Sequence, residues 1–508
     1  MRDDTLSEIT MKKILLLALA LAMCLSLASC ARDDEGYAMP RLSPDSQMKN
    51  GTAIINPDSE VRGVWIATVF NIDYPSFYDL PAAQLKAEID AIIETCKKGG
   101  LNTIFFQVRP SCDALYDSDI FPVSRVLSTT GRLQFDPLEY FVEAAHKNNI
   151  FLHAWINPLR ITVSADSEDK LPADSPAVKY PEWTVKYADG KLYFNAGIPD
   201  VRQLVADGVR EIVENYNVDG IVFDDYFYPY PTAAGDPFDD ADAYAKYGKS
   251  FDNVADFRRD SINRLIKLCY DTVKDVYADC LFGVSPGGVW QNNNGVNGGS
   301  DTWGFETYHS LYCDTLAWVN GGYVDYVSPQ IYWTFDTTGT PYGHLIDWWN
   351  AKLDGTGVKL WVSHGAYRYE EGDWTDPAGE MTSQIEYARE VLSYRGSVFY
   401  GYDELRGNDF VILEELTDAY GDEIIYCDPS ASGMPVSITS HYYGAECAVG
   451  EATLAGISDP SETLLVNGAT VNRKKNGSFT VDVKLVHGEN KFVFKQGDAT
   501  FTLVLYGK

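Results

Sequence analysis

Val218-Asp219-Gly220-Ile221-Val222-Phe223-Asp224-Asp225-Tyr226-Phe227-Tyr228-Pro229 is the stretch on which the reading of the fold turns. The run Ile221-Val222-Phe223 has the look of a buried strand. It ends in two adjacent aspartates, followed by aromatics and Pro229. A carboxylate pair at the end of a buried strand is costly unless it is hydrogen-bonded or put to use.

Outward from this strand, the same alternation of strand and helix recurs in both directions. Upstream, the expected strands are Arg62–Ala67, Thr103–Val108 and Phe151–Ile156. Between them, helices are expected over Gln84–Lys98, closed by Gly99-Gly100, then from about Pro137 to Lys147, and over Pro199–Tyr216. Downstream the expected strands are Leu281–Ser285, Val324–Ile331, Val358–Val362 and Ser397–Tyr400. Their helices are expected at about Asn253–Val276, Thr307–Val319, Gly343–Leu353, Met381–Leu392 and Asp409–Ala419. Eight strand-and-helix units predict an α/β fold, a closed parallel (β/α)8 TIM barrel. An open doubly wound sheet is the alternative, but no glycine-rich phosphate turn follows the first strand. The long connections after the third, fourth and fifth strands leave their carboxyl ends, the face on which barrel enzymes carry their sites.

Residues 60–427 are therefore assigned to the barrel. Pro429-Ser430-Ala431-Ser432-Gly433 reads as a linker, and residues 435–508 as a small all-β, immunoglobulin-like sandwich of short alternating strands with Asn-Gly turns. That tail either binds glycan or serves as a spacer; no aromatic platform stands out, which favours the spacer. Residues 1–30 read as a lipoprotein signal peptide. Met11-Lys12-Lys13 is basic, Ile14–Leu27 is apolar but short for a bilayer span, and Leu27-Ala28-Ser29-Cys30 resembles a bacterial lipobox with Cys30 as the lipidated residue. Residues 31–59 are polar and aperiodic, a flexible tether. The expectation is an exported bacterial lipoprotein, extracytoplasmic and held to the membrane by Cys30. Seven cysteines outside the signal show no Cys-x-x-Cys spacing. A net charge of −32 argues against nucleic acid as a partner.

Alternation along the strands selects the residues that face the barrel axis. On the fourth strand these are Val222, Asp224 and Tyr226, with Asp225 on the other face or turned into the cleft. On the third they are His153, Trp155 and Asn157, and on the second Gln107 and Arg109. The sixth strand leads to Gln330, Tyr332 and Trp333, and the eighth to Asp403 and Glu404. Amides, carboxylates, Arg, His and aromatics are the mixture that binds sugar hydroxyls and stacks on sugar rings. Hydrolysis of a glycosidic bond needs two carboxyl groups. Asp224 is the first candidate; Asp225, Glu404, Asp403 and Asp113 are candidates for its partner. The plainer reading makes Asp224 or Asp225 a turn cap or an ion-pair partner of Arg109 or Arg160, and His153 a core histidine. No metal motif and no serine-nucleophile motif is present, and no cofactor is expected.

Several of these stretches, in the same order, resemble the bacterial glycosyl hydrolase-10-like lipoproteins. They are Val61-Arg62-Gly63-Val64-Trp65, Phe106-Gln107-Val108-Arg109-Pro110, His153-Ala154-Trp155-Ile156-Asn157-Pro158, Asp219–Pro229, and Ser328-Pro329-Gln330-Ile331-Tyr332-Trp333. The resemblance implies a (β/α)8 glycosidase at the cell envelope, some members of the family cleaving peptidoglycan glycan strands that have lost their stem peptides. Asp224 is then the lead acid/base or nucleophile, with Asp225 and Glu404 as further catalytic candidates. Gln107, Arg109, His153, Trp155, Asn157, Gln330, Tyr332 and Trp333 line the expected sugar subsite. The fourth strand also resembles the Asp-Gly-Ile-Asp-Ile-Asp-Trp-Glu strand of chitinase-type barrels. Here Val222 and Tyr226 stand where that pattern has an aspartate and the catalytic glutamate, which argues against substrate-assisted chemistry. The alternative to an enzyme is a surface lipoprotein that binds glycan without cleaving it.

Overall fold

The computed structural model describes residues 60–148, 150–165, 170–233, 235, 237–371, 377–406, 416 and most of 436–508. The expected signal peptide, Cys30, the tether, the linker and nearly all of the last expected helix lie outside the described residues. Among the described residues no helix is long and apolar enough to cross a membrane.

Eight strands close a parallel barrel: β1 (Val61–Ile66), β2 (Thr103–Arg109), β3 (Phe151–Ile156), β6 (Gly220–Phe223), β7 (Leu281–Val284), β8 (Tyr326–Val327), β9 (Lys359–Gly365) and β10 (Tyr394–Tyr400). β10 pairs with β1 and shuts the ring. Two short strands within the long third connection, β4 (Thr184–Lys186) and β5 (Leu192–Phe194), form an antiparallel hairpin where the sequence predicts no strand.

The strands have a core on each face. Outward residues such as Val64, Ile104, Leu152, Ile221 and Phe282 pack beneath the helices in the larger apolar cluster. Inward residues Trp65, Phe105, Trp155, Val222, Tyr326, Trp361 and Val398 fill the interior. Inward glycines make room for the large rings: a Cβ on Gly220 would run into His153, and one on Gly283 into Tyr326. Side chains thus plug the bottom of the barrel, leaving its carboxyl end for chemistry.

Two expected elements differ, and one short helix was not expected. The sixth barrel strand pairs as a ladder only over Tyr326–Val327, because Pro329 has no N–H to donate; Gln330 then makes isolated bridges to Gly287 and Ser363. The expected helix from Thr307 is two helices, Thr307–Ser310 and Thr315–Gly321, and Asp314 caps the second by accepting from the Ala317 N–H. A short helix, Tyr402–Arg406, follows β10 and carries Asp403 and Glu404.

The C-terminal strands form two sheets. One has the order β11 (Ser437–Ile438), β13 (Gly450–Ile457), β16 (Ser478–Leu485). The other runs β12 (Glu446–Cys447), β18 (Ala499–Gly507), β17 (Gly488–Gln496), β14 (Leu464–Val466), β15 (Ala469–Thr470). Asn467 and Gly468 both have positive φ and turn β14 into β15, as Asn-Gly predicts. Leu454, Phe479, Phe492, Phe494 and Leu503 share an apolar core.

Candidate active site

Asp224 sits one residue beyond β6, buried at the rim of the barrel. Oδ2 accepts from Asn157 Nδ2 at 2.5 Å and from Trp155 Nε1 at 3.3 Å. Oδ1 accepts from the Tyr226 backbone N–H at 3.2 Å. The Asn157 amide is itself fixed. The backbone N–H groups of Thr68 and Val69 donate to Gln107 Oε1 at 2.8 and 2.9 Å. Gln107 must then present its NH2 to Asn157 Oδ1, at 2.7 Å, and Asn157 must present its own NH2 to Asp224. The backbone of the first βα loop therefore sets the position of a carboxyl group on the fourth barrel strand.

Burial, with Asp225 beside it, pushes the Asp224 carboxyl up to about 7; Arg160, the Tyr226 N–H and Asn157 pull it down. Burial also raises Asp225, against the Tyr230 hydroxyl, which donates to its Oδ2, and against Gln330 and Arg160. Two adjacent buried carboxyls resist double ionisation, so the pair retains a proton near neutral pH. Arg160 is anchored by its Nε on the Pro110 carbonyl at 2.8 Å and lies 4.9 Å from the Tyr226 ring centre.

Across the mouth, Tyr332 stacks with Tyr400 at 6.2 Å and meets the edge of Tyr367 at 5.8 Å. Glu404 is half-buried at the end of β10, where its charge acts on Tyr400 and on Asp73. Asp403 is paired with Arg406 at 2.6 Å. Asp113 is committed elsewhere, accepting from Ser111 at 2.9 Å and Ser124 at 2.5 Å. A cavity of about 430 Å³ opens between the loops after β1, β2 and β3, with Phe70, Pro110, Asp113 and Arg125 among its walls. Asp224 does not line it; Pro110, whose carbonyl anchors Arg160, does.

The structure thus brings Gln107, Trp155, Asn157, Asp224, Asp225, Gln330 and Tyr332 to one rim and leaves three of the expected residues out of it. Arg109 faces the helix layer, because the register between β2 and β3 shifts after Gln107 and sets Arg109 opposite the outward Ile156. Its guanidinium lies 3.5 Å from the Phe121 ring centre and against Gly208. His153 lies lower in the interior, its Nδ1 2.9 Å from the Tyr326 hydroxyl and its ring among Phe105, Tyr326 and Trp361. Burial pushes it down to about 4, so it is neutral. Trp333 packs on the outer core, with its carbonyl accepting from Gln384 at 3.0 Å.

Two residues were not singled out from sequence. Tyr230, six residues past the strand-four aspartate, is the hydroxyl partner of Asp225. Asp73 is buried in the first βα loop and accepts from the Ala67 N–H at 2.6 Å. Burial, with Asp403 and Glu404 nearby, pushes it up to about 7. An acid in the first loop on the functional face was the available signal for Asp73.

Residues 60–378 match the model of a family described as Glycosyl hydrolase-like 10. A relative in Bacillus subtilis (strain 168), "Glycosyl hydrolase YngK", is 38% identical over 371 residues, 72% of this chain and 72% of the relative. "Glycosyl hydrolase DigH" of Escherichia coli (strain K12) is 32% identical over 415 residues, 76% of this chain and 92% of the relative.

Proposed function

The chain belongs to the glycosyl hydrolase-like 10 family of glycosidases, and from that premise we propose that it is an exported, lipid-anchored enzyme that cleaves peptide-free peptidoglycan strands. One observation carries the catalytic part of this reading: a buried carboxyl group, Asp224, fixed by three N–H donors and raised to about 7 at the carboxyl end of a barrel strand. Such a group holds its proton near neutral pH, as a general acid must. Asp224 donates that proton to the leaving oxygen. Glu404, from the opposite side of the mouth, supplies the second carboxylate. Asp225 keeps Asp224 protonated through its charge, and Gln330 and Tyr332 contact the sugar. The anchor rests on the lipobox ending in Cys30, and the C-terminal sheets act as an immunoglobulin-like spacer.

The test is incubation of peptide-stripped peptidoglycan with the purified protein and with its Asp224→Asn and Glu404→Gln variants, followed by analysis of released sugars. Both variants are expected to lose release while still binding the strands. Unchanged release by Asp224→Asn removes it from the mechanism. Binding without release by the unaltered protein would leave a glycan-capturing lipoprotein in place of an enzyme.

A further inference from the structure

A row of exposed aromatic side chains begins at Asp225 and runs away from the carboxyl pair. Tyr230 donates its hydroxyl to Asp225 and stacks face to face with Phe305, centres 5.2 Å apart and planes 20° apart. Tyr226 lies 5.4 Å from Tyr230 on the other side. Trp303 is two residues from Phe305 on the same loop. These side chains remain 37% (Tyr226), 41% (Tyr230), 44% (Phe305) and 71% (Trp303) exposed. Leaving so much apolar surface in water, three rings of it in direct contact, is unfavourable unless something covers it.

The loop that carries the outer two is held rigidly. The Trp303 N–H donates to the Gly339 carbonyl at 3.0 Å, and Gly339 presses against the indole so closely that a Cβ there would come within 2.5 Å of Nε1. Gly339 has φ +93, a conformation glycine adopts without strain. Gly304 is likewise packed on Thr340. The loops after β7 and β8 therefore lock together and hold Trp303 out into solvent, so little ordering cost remains when a ligand lies on it.

A flat, exposed aromatic face continuous with a glycosidase rim matches the C–H face of a sugar ring, whose positively polarised hydrogens meet the negative π face. We infer that Trp303 and Phe305 form a second sugar-binding subsite, away from the scissile bond, so that the substrate is an oligomer long enough to lie across both. This rests on the glycosidase reading. Tyr230 joins the two parts: its ring buttresses Phe305 while its hydroxyl holds Asp225.

The experiment uses peptide-free glycan oligomers of increasing length. For the unaltered protein, kcat/KM is expected to climb with length and level off once the subsite is filled. In Trp303→Ala the ratio of kcat/KM for the longest to the shortest oligomer is expected to fall about tenfold, the size of one aromatic contact. Trp303→Tyr should restore most of it. A loss equal at all lengths, which a merely structural role would give, overturns the inference, as does an unchanged ratio. Calorimetric binding of the same oligomers to Asp224→Asn protein, with and without Trp303→Ala, separates this from the catalytic reading. Length-dependent affinity that disappears in the double variant upholds the subsite even if no bond is cleaved. Affinity indifferent to Trp303 overturns the subsite even if cleavage is confirmed.

Discussion

Strand β3 passes through two buried polar layers, and they behave differently. His153, low in the barrel, is hydrogen-bonded to Tyr326 and ringed by Phe105 and Trp361. Asn157, just past the end of the same strand, is hydrogen-bonded to Asp224. Burial suppresses charge in both layers, lowering His153 to about 4 and raising Asp224 to about 7. The histidine's contacts end in aromatic packing. The aspartate's lead through two amides to the first loop, to a second carboxyl group, and on to the aromatic row at the mouth. Burial alone therefore does not mark a catalytic group; what distinguishes Asp224 is a polar network that reaches the open face of the barrel.

The largest expected break in that comparison is at Asp224. Replacement by Asn removes the acid without changing shape and is expected to lower kcat on the order of 10²–10⁴-fold. The same measurement on His153→Gln should show near-normal kcat per folded molecule. If His153→Gln matched Asp224→Asn, the division into a packing layer and a reactive layer would be wrong. Asn157→Ala comes next. It leaves Asp224 chemically intact but frees it from the amide relay, and a loss of about tenfold to a hundredfold in kcat is expected.

The barrel could be read from sequence because every strand of a closed parallel sheet is buried on both faces and shows as an apolar run. Alternation also put Val222 and Asp224 on the axis, where the structure has them. It failed at Arg109 because the register shift between β2 and β3 changes which residues face inward, and nothing in Gln107-Val108-Arg109 announces the shift. It overreached at His153 because alternation gives the face of a strand and not the depth along it. Four residues of strand rise, about 13 Å, separate the packed interior at His153 from the open rim at Asn157. Asp73 and Tyr230 lie in loops, where periodicity carries no information, and they reach the site only through tertiary folding.

A smaller effect sharpens the electrostatics of the rim. Asp225 raises Asp224 by its charge. Asp225→Asn removes that charge, so Asp224 releases its proton at lower pH. The alkaline limb of kcat/KM, expected to fall through about pH 7 in the unaltered protein, should move toward acid. An unmoved limb would mean that another group sets it.

The smallest effect concerns stability and opposes the two layers directly. Asp224 has a folded value near 7, above its unfolded value near 4, so the folded state binds the extra proton between them. Its contribution is fully present below about pH 4 and is lost as pH rises through 7. His153 has a folded value near 4, below its unfolded value near 6.5, so there the unfolded state binds the extra proton. Its contribution is present above about 6.5 and is lost as pH falls through 4. The slopes have opposite signs over nearly the same window and offset each other in the unaltered protein. Relative to that protein, Asp224→Asn should therefore gain Tm as pH is raised from 4 to 7, and His153→Gln should gain Tm as pH is lowered from 6.5 to 4. Each change amounts to roughly 3 kcal/mol, or a few degrees. Buried acids and histidines away from the carboxyl pair, Asp73 and His364 among them, are common to all three proteins and drop out of the differences. Slopes of the same sign in both variants would show that burial does not set the charge of the two layers in the way their surroundings require.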